Sequence, residues 1–483
     1  MVVGAAQVRG GPAQPVEPLG LVLQALHAAA GPELLAAVDA VHAVGIASWD
    51  YDELAARVAR GIGAVPRHRV DTGIGGHWPV RLLEQAAARI AAGESQVAVV
   101  VGGEAAATVA ALQRSGTDPV AAHGWTPAGR PAALDPADFG GPEQIAAGLL
   151  LPTRVYPLFE NRLQADLGQT PAEAAAWSAA LYADLTRVAS TNPGAWSPQV
   201  RSAADIGMVT PANRLISEPY PLAVNAHPRV DQAAAVVLTS LAVARAHGVP
   251  EGELIHVWGG AGATDPVDLL RRSAYGSSAA LTSCLTRTAA LAPTPPGLVD
   301  VYSCFPVVPK LAGIALGLPR DSVLSVTGGH SAFGGPLSSY SLHAVVAARA
   351  RLRAHGGSVL VHANGGFLTY QHAVLLGARP HPDGYVGDPE PVILPGGGTS
   401  GPIASGDVVV ETATVERHRD GGAAAAFVIG LTAAGRRVAA ATGDPAVAAR
   451  LSLGALAPGV STHVGRRVRV AARDGAAVVV DVL

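Results

Sequence analysis

Apolar runs bounded by glycine or polar turns alternate along this chain with stretches of helical period. "SQVAVVVGGEAA" (95–106), "ELIHVWGGAG" (253–262), "LVDVYSCFP" (298–306) and "SVLVHANGGF" (358–367) read as buried strands. Their continuous apolarity predicts parallel sheets with helices on both faces. Between them, "PVRLLEQAAARIAAG" (79–93) predicts a helix with Pro79 in its first turn and a stop at Gly93. "SSYSLHAVVAARARLRAHGG" (338–357) starts on serine and ends basic before glycines, and Thr170 with Pro171 opens a helix over 170–189.

Two stretches break this rhythm. Residues 119–225 are rich in Pro, Trp and Tyr, and such an excursion between sheet elements is expected to lie over a binding face. "RPHPDGYVGDPEPVILPGGGTSGPIASG" (379–406) lacks periodicity and reads as a linker over 379–407. Beyond it, alternating apolar and polar residues around Asp-Gly turns predict a small antiparallel β domain, separate from the α/β body.

Composition narrows the function classes. Hydrophobic residues make up 49% of the 483, enough for large cores, while a net charge of −3 argues against a nucleic-acid partner. Lys310 is the sole lysine, which reads as coding bias. Cys284 and Cys304 form no disulfide framework or metal pair, so a reducing, cytoplasmic setting is expected, with no metal. No apolar stretch is long enough to span a bilayer, and "MVVGAAQVRG" lacks the features of a signal peptide, so no membrane insertion is expected.

Several motifs fall in a telling order. A Gly-rich turn leads into a helix (Gly73 to Gly93), "NAHPRVDQAAAVVLTS" (225–240) follows, and then come "VDVYSCFP" (299–306), "TGGHSAFGGPLSSY" (327–340) and "VHANGG" (361–366). In this order and spacing the chain resembles the thiolase superfamily. It is most similar to the sterol-carrier-type thiolases and the actinobacterial thiolase-like proteins (type 1) with an added C-terminal domain. The resemblance implies an α/β chain with a duplicated five-layered α/β/α/β/α fold over residues 1–378, followed by a small antiparallel, OB-like β domain. It divides the chain into an N-terminal half (1–118 and 203–258), a loop or cover region (119–202), a C-terminal half (259–378), the linker (379–407) and the added domain (408–483).

The same resemblance locates four chemically active positions, and none keeps the family residue. The nucleophilic Cys position falls on Gly76. The first His of the His-Asp-Cys-Phe motif falls on Tyr302, with Ser303, Cys304 and Phe305 behind it. The His of the Gly-His-Pro motif falls on Gly335, and the second acid/base Cys on His362. A glycine neither attacks a thioester nor moves a proton. Tyr302, His362 and His77 are therefore the catalytic candidates. Asn225, Gly328, Gly329, Gly334, Gly335, Asn364 and Gly365 are candidates for holding the substrate or CoA.

Each has a plainer reading as well. His77 fits a histidine packed at a helix start, His362 a satisfied strand-end group, and Cys304 a small buried hydrophobe. His330 fits equally a side chain that swings toward the site and a loop histidine bonded to backbone, and Asp231 fits a cap for the helix expected after it. The resemblance implies an acyl-CoA or lipid thioester ligand within an acyltransferase superfamily of lipid metabolism, with no tightly bound cofactor. It leaves open a degenerate thioester-binding protein, a Tyr302-dependent retro-aldol C–C lyase acting on a hydroxyacyl-CoA, and a non-catalytic scaffold. Whether the chain is an enzyme, and whether it is a homodimer or a monomer, stay open too.

Overall fold

The computed structural model describes residues 1–130, 135–401 and 405–483. Residues 131–134 of the expected cover and 402–404 of the expected linker lie outside the described residues. Two five-stranded sheets form the body. The first runs Val2–Arg9, Asp231–Thr239, Val97–Ala105, Ala40–Ala43, His68–Asp71 from edge to edge. The second runs Asp388–Ile393, His256–Thr264, Tyr370–Gly377, Ser358–Gly365, Leu298–Asp300.

The helices Trp78–Ala91 and Tyr340–His355 pack between the sheets in one apolar cluster with residues of both. Residues 340–345 are all buried, because a helix sandwiched between two sheets has no solvent face to keep polar. The helices Pro18–Ala29 and Leu54–Gly61 cover the outer face of the first sheet. Ala279–Ala290 and Val307–Ala315 cover that of the second. The order helix, sheet, helix, sheet, helix gives the five layers.

Three details differ from the sequence expectation. Both sheets are mixed rather than parallel: Val97–Ala105 runs parallel to Ala40–Ala43 but antiparallel to Asp231–Thr239. A strand buried on both faces is continuously apolar in either orientation, so the pattern carries no information on direction. The expected linker contains the strand Asp388–Ile393, parallel to His256–Thr264; its Pro389 and Pro391 confine it to the sheet edge. After Asp231 comes a strand and not a helix. Its carboxylate instead accepts from Ala107 N (2.9 Å), Thr108 N (3.1 Å) and Thr108 Oγ1 (2.6 Å), at the start of the helix Ala106–Ser115.

The C-terminal strands Gly406–Arg417, Ala423–Leu431, Arg437–Thr442, Arg467–Arg473 and Ala476–Val482 close into a barrel-like sheet around their own apolar core. Pairing is antiparallel except between Arg437–Thr442 and Ala476–Val482. This domain is not separate from the body. Leu215–Ser217 and Tyr220–Pro221 extend its sheet, and Phe427, Ile429 and Ala439 join the core of the α/β body. The buried Glu218 binds Arg417, Ser452 Oγ (2.8 Å) and Leu453 N (2.6 Å) across the junction.

The helix Pro152–Asp166 of the cover packs on the same domain. Asn161 Nδ2 donates to Ala413 O at 2.8 Å, Thr412 Oγ1 donates to Leu158 O at 2.5 Å, and Arg154 pairs with Glu416 at 3.0 Å.

Candidate functional site

A cavity of about 380 Å³ opens where strand ends of the second sheet meet the turn before the helix Trp78–Ala91. Ligands of open α/β sheets sit beyond carboxyl ends of strands. Gly75 and Gly76 come from that turn, Tyr302, Cys304 and Phe305 from the exit of Leu298–Asp300, and Asn364 to Phe367 from the exit of Ser358–Gly365. His330, Gly335 and Ser338 come from the glycine-rich loop, Asn225 and Ala226 from the segment before Asp231, and Phe139 and Tyr156 from the cover. Every lining residue is uncharged, and most of the wall is apolar.

Tyr302 decides the chemistry of this wall. A Cβ built on Gly76 would land on the Tyr302 hydroxyl, 2.8 Å from Tyr302 Cζ and 2.5 Å from Asn364 O. A side chain at position 76 and the Tyr302 phenol therefore exclude each other. Tyr302 is 7% exposed, and burial pushes its phenol far above the usual tyrosine range, so it is an O–H donor at any ordinary pH. At Gly335 a Cβ would meet nothing closer than His227 O at 3.3 Å, and the Gly335 N–H donates to that same oxygen at 3.0 Å.

His330 is the histidine that reaches the cavity. Its ring lies 4.2 Å from that of Tyr302 and stacks on Tyr340 at 3.6 Å. Nδ1 and the backbone N–H both meet Ser303 Oγ at 3.3 Å, while Nε2, fully buried, has no partner. Burial alone holds the ring neutral, far below the usual histidine range.

The other candidates divide. His362 does not reach the cavity: it is 0% exposed, its Nδ1 accepts from Tyr302 N–H (3.4 Å), and its Nε2 meets Gln371 Oε1 (2.8 Å). Gln371 Nε2 donates onward to Asn364 Oδ1 (2.7 Å), and Asn364 Nδ2 donates to Tyr156 Oη (3.0 Å). Both ends of the Asn364 side chain are thus engaged by protein. His77 is wedged between Trp78 (4.6 Å) and Tyr370 (4.8 Å) against Gly365, outside the cavity lining.

Asn225 lines the cavity; its Nδ2 donates to Pro221 O at 2.7 Å and its Oδ1 is unpaired. Gly328, Gly329 and Gly334 do not line it. They have positive φ and let the loop press on the helix Pro171–Ser190 and Gln232; a Cβ at Gly328 would sit 2.5 Å from Ala189 Cα.

Cys304 lines the cavity, but burial pushes its thiol up to about 12, and Cys284 donates to Ala261 O at 3.2 Å within the core. Tyr156 went unmarked in the sequence. It stacks on Phe305 at 4.6 Å and donates to Gly366 O at 2.8 Å. Nothing local in "RVYPLF" signals this, because its partners lie more than a hundred residues away. Among the described residues no group of three or more His, Cys, Asp or Glu is placed to hold a metal, and no helix is long and apolar enough to cross a membrane.

With this geometry in view, residues 401–474 match the family model of the thiolase-like protein type 1 additional C-terminal domain. Among solved structures the chain is similar to a monomeric SCP2-thiolase like protein type 1 from Mycobacterium smegmatis. That likeness has 26% identity and a TM-score of 0.81, and covers 99% of this chain and 98% of the other. The Ltp2-ChsH2(DUF35) aldolase (22% identity, TM-score 0.53) and human mitochondrial 3-ketoacyl-CoA thiolase (16%, 0.55) share the fold over 78% of this chain and 97% and 98% of theirs. Curated proteins yield no match.

Two expectations follow. Gly76→Cys should destabilise the fold by about 2 kcal/mol through overpacking against Tyr302. In a Tyr302→Ala background the same change should cost clearly less, the remainder coming from the backbone Asn364 O at 2.5 Å, as read by a double-mutant cycle in urea; equal costs in both backgrounds would refute the exclusion.

The second concerns acid. Burial lowers His42 to about 4, His77 to about 3, His343 to about 3 and His362 to about 4. In the unfolded chain they titrate near 6.5, so below that pH the unfolded state binds protons that the folded state refuses. Stability present above about pH 6.5 is then lost as pH falls, by up to about 1.4 kcal/mol per unit for each histidine. Glu104, raised to about 7 by burial, acts in the opposite sense over the same range. Four groups outweigh one, so the urea midpoint should fall between pH 7 and pH 5; a rise contradicts the assignment.

Proposed function

We propose that this chain, a thiolase-like protein with the type 1 additional C-terminal domain, binds an acyl-CoA or lipid-derived thioester and performs no cysteine-dependent thiolase reaction. The observation that carries this reading is the Tyr302 phenol standing where a side chain at position 76 would project. A nucleophilic cysteine has no room there, and Cys304, with a thiol near 12, is roughly one part in a hundred thousand thiolate at neutral pH. The uncharged, largely apolar wall suits an acyl chain, while Asn225 Oδ1 offers an acceptor for an amide of the pantetheine arm.

Calorimetry with acyl-CoA should give saturable binding, and intact mass after prolonged incubation should show no acyl adduct. An adduct on a cysteine, or no binding, would sink the reading.

A second reading is favoured by one specific observation. Tyr302 presents a protonated phenol to the cavity beside the neutral His330, whose Nε2 has no partner. That pair suits retro-aldol cleavage of a hydroxyacyl-CoA, in which a hydroxyl loses its proton while an enolate oxygen needs a donor. Under this reading wild-type protein releases a carbonyl compound and a shortened acyl-CoA. Tyr302→Phe should lower that rate by at least about a hundredfold; unchanged turnover would exclude the role.

A further inference from the structure

The glycine-rich loop places a histidine against the cavity although the expected position, Gly335, is empty. Ser303 fixes how that histidine is presented. Ser303 Oγ accepts the His330 backbone N–H and meets Nδ1, each at 3.3 Å. An Nδ1–H that joins the backbone N–H on this one oxygen leaves a lone pair on Nε2.

Stacking on Tyr340 at 3.6 Å and the edge of Tyr302 at 4.2 Å hold the ring in this orientation. His330 is 2% exposed, lines the cavity, and has no protein partner at Nε2. A buried acceptor without a partner is costly, and a ligand that supplies a donor recovers that loss.

We propose that His330 Nε2 is the acceptor for a hydroxyl of the bound acyl chain, with Ser303 the positioning residue that sets its tautomer. This inference rests on the hydroxyacyl thioester of the second reading as ligand, and not on its cleavage. The rival acceptor on the wall is Asn225 Oδ1, which sits half-buried in the segment before Asp231. It is assigned to the part of the ligand that hydroxylated and plain esters share.

The experiment compares 3-hydroxyhexanoyl-CoA with hexanoyl-CoA by calorimetry. Wild-type protein should favour the hydroxylated ester by about tenfold or more, the scale of one buried hydrogen bond. His330→Phe keeps a ring on Tyr340 and should bind the two esters equally. Ser303→Ala frees the tautomer and should shrink the preference; it decides the matter if His330→Phe does not fold. Asn225→Ala should weaken both esters alike.

No preference in wild type, or a preference that survives in His330→Phe, overturns the assignment. So does a preference lost in Asn225→Ala alone. Preference without any cleavage sinks the lyase reading and leaves His330 as the acceptor, whereas failure of both esters to bind overturns both.

Discussion

A single buried ion pair fixes where the cavity can be. Lys310 and Glu160 are each 1% exposed and paired with one another. Lys310 Nζ also donates to Ala174 O at 3.0 Å and lies 4.8 Å above the Trp177 ring. The other Glu160 oxygen accepts from Tyr220 Oη at 2.7 Å, and that oxygen accepts Val307 N–H at 3.2 Å. Two charges taken out of water are tolerated only when bonded this fully, and removing either leaves the other stranded. The pair thereby ties the cover helices Pro152–Asp166 and Pro171–Ser190 to the helix Val307–Ala315, which begins directly after Tyr302 to Phe305. The lone lysine that composition attributes to coding bias has a structural task.

The helix Pro152–Asp166 then has two faces with different partners. Pro152, Thr153 and Tyr156 look into the cavity. Arg154, Leu158, Asn161 and Arg162 hold the added domain through side-chain and backbone bonds. No residue beyond Phe367 lines the cavity among those described, so the added domain acts on the site indirectly, in part through this helix. Its contribution is to clamp a wall, which explains why a barrel with its own core is still so extensively bonded to the body.

What the sequence made legible follows from what is local. Buried strands, glycine turns and the order of the motifs are local, and they led to the five layers and to Gly76, Tyr302, Asn225 and Gly335 around one cavity. Strand direction, the strand hidden in a proline-rich segment and Tyr156 depend on partners far along the chain, where one sequence carries no trace of them. His330 shows the limit most sharply. Motif register gave the weight to position 335 and left position 330 a loop histidine. Only the stacking on Tyr340 and the bond to Ser303 show that the ring turns inward. His362 errs the other way: its motif position is suggestive, yet Gln371 and the Tyr302 N–H occupy both nitrogens.

Gly76 and Tyr302 form one feature in space, although they lie far apart in the chain. The phenol fills the space that a side chain at position 76 would need and presents a neutral donor at the same point. Burial keeps the neighbouring thiol protonated and the neighbouring imidazole unprotonated, so the wall holds no formal charge at ordinary pH. Selection in such a cavity comes from shape and from pairing hydrogen-bond donors with acceptors. An unpaired polar group excludes ligands that fail to satisfy it, and a charged group of a ligand would meet no counter-ion.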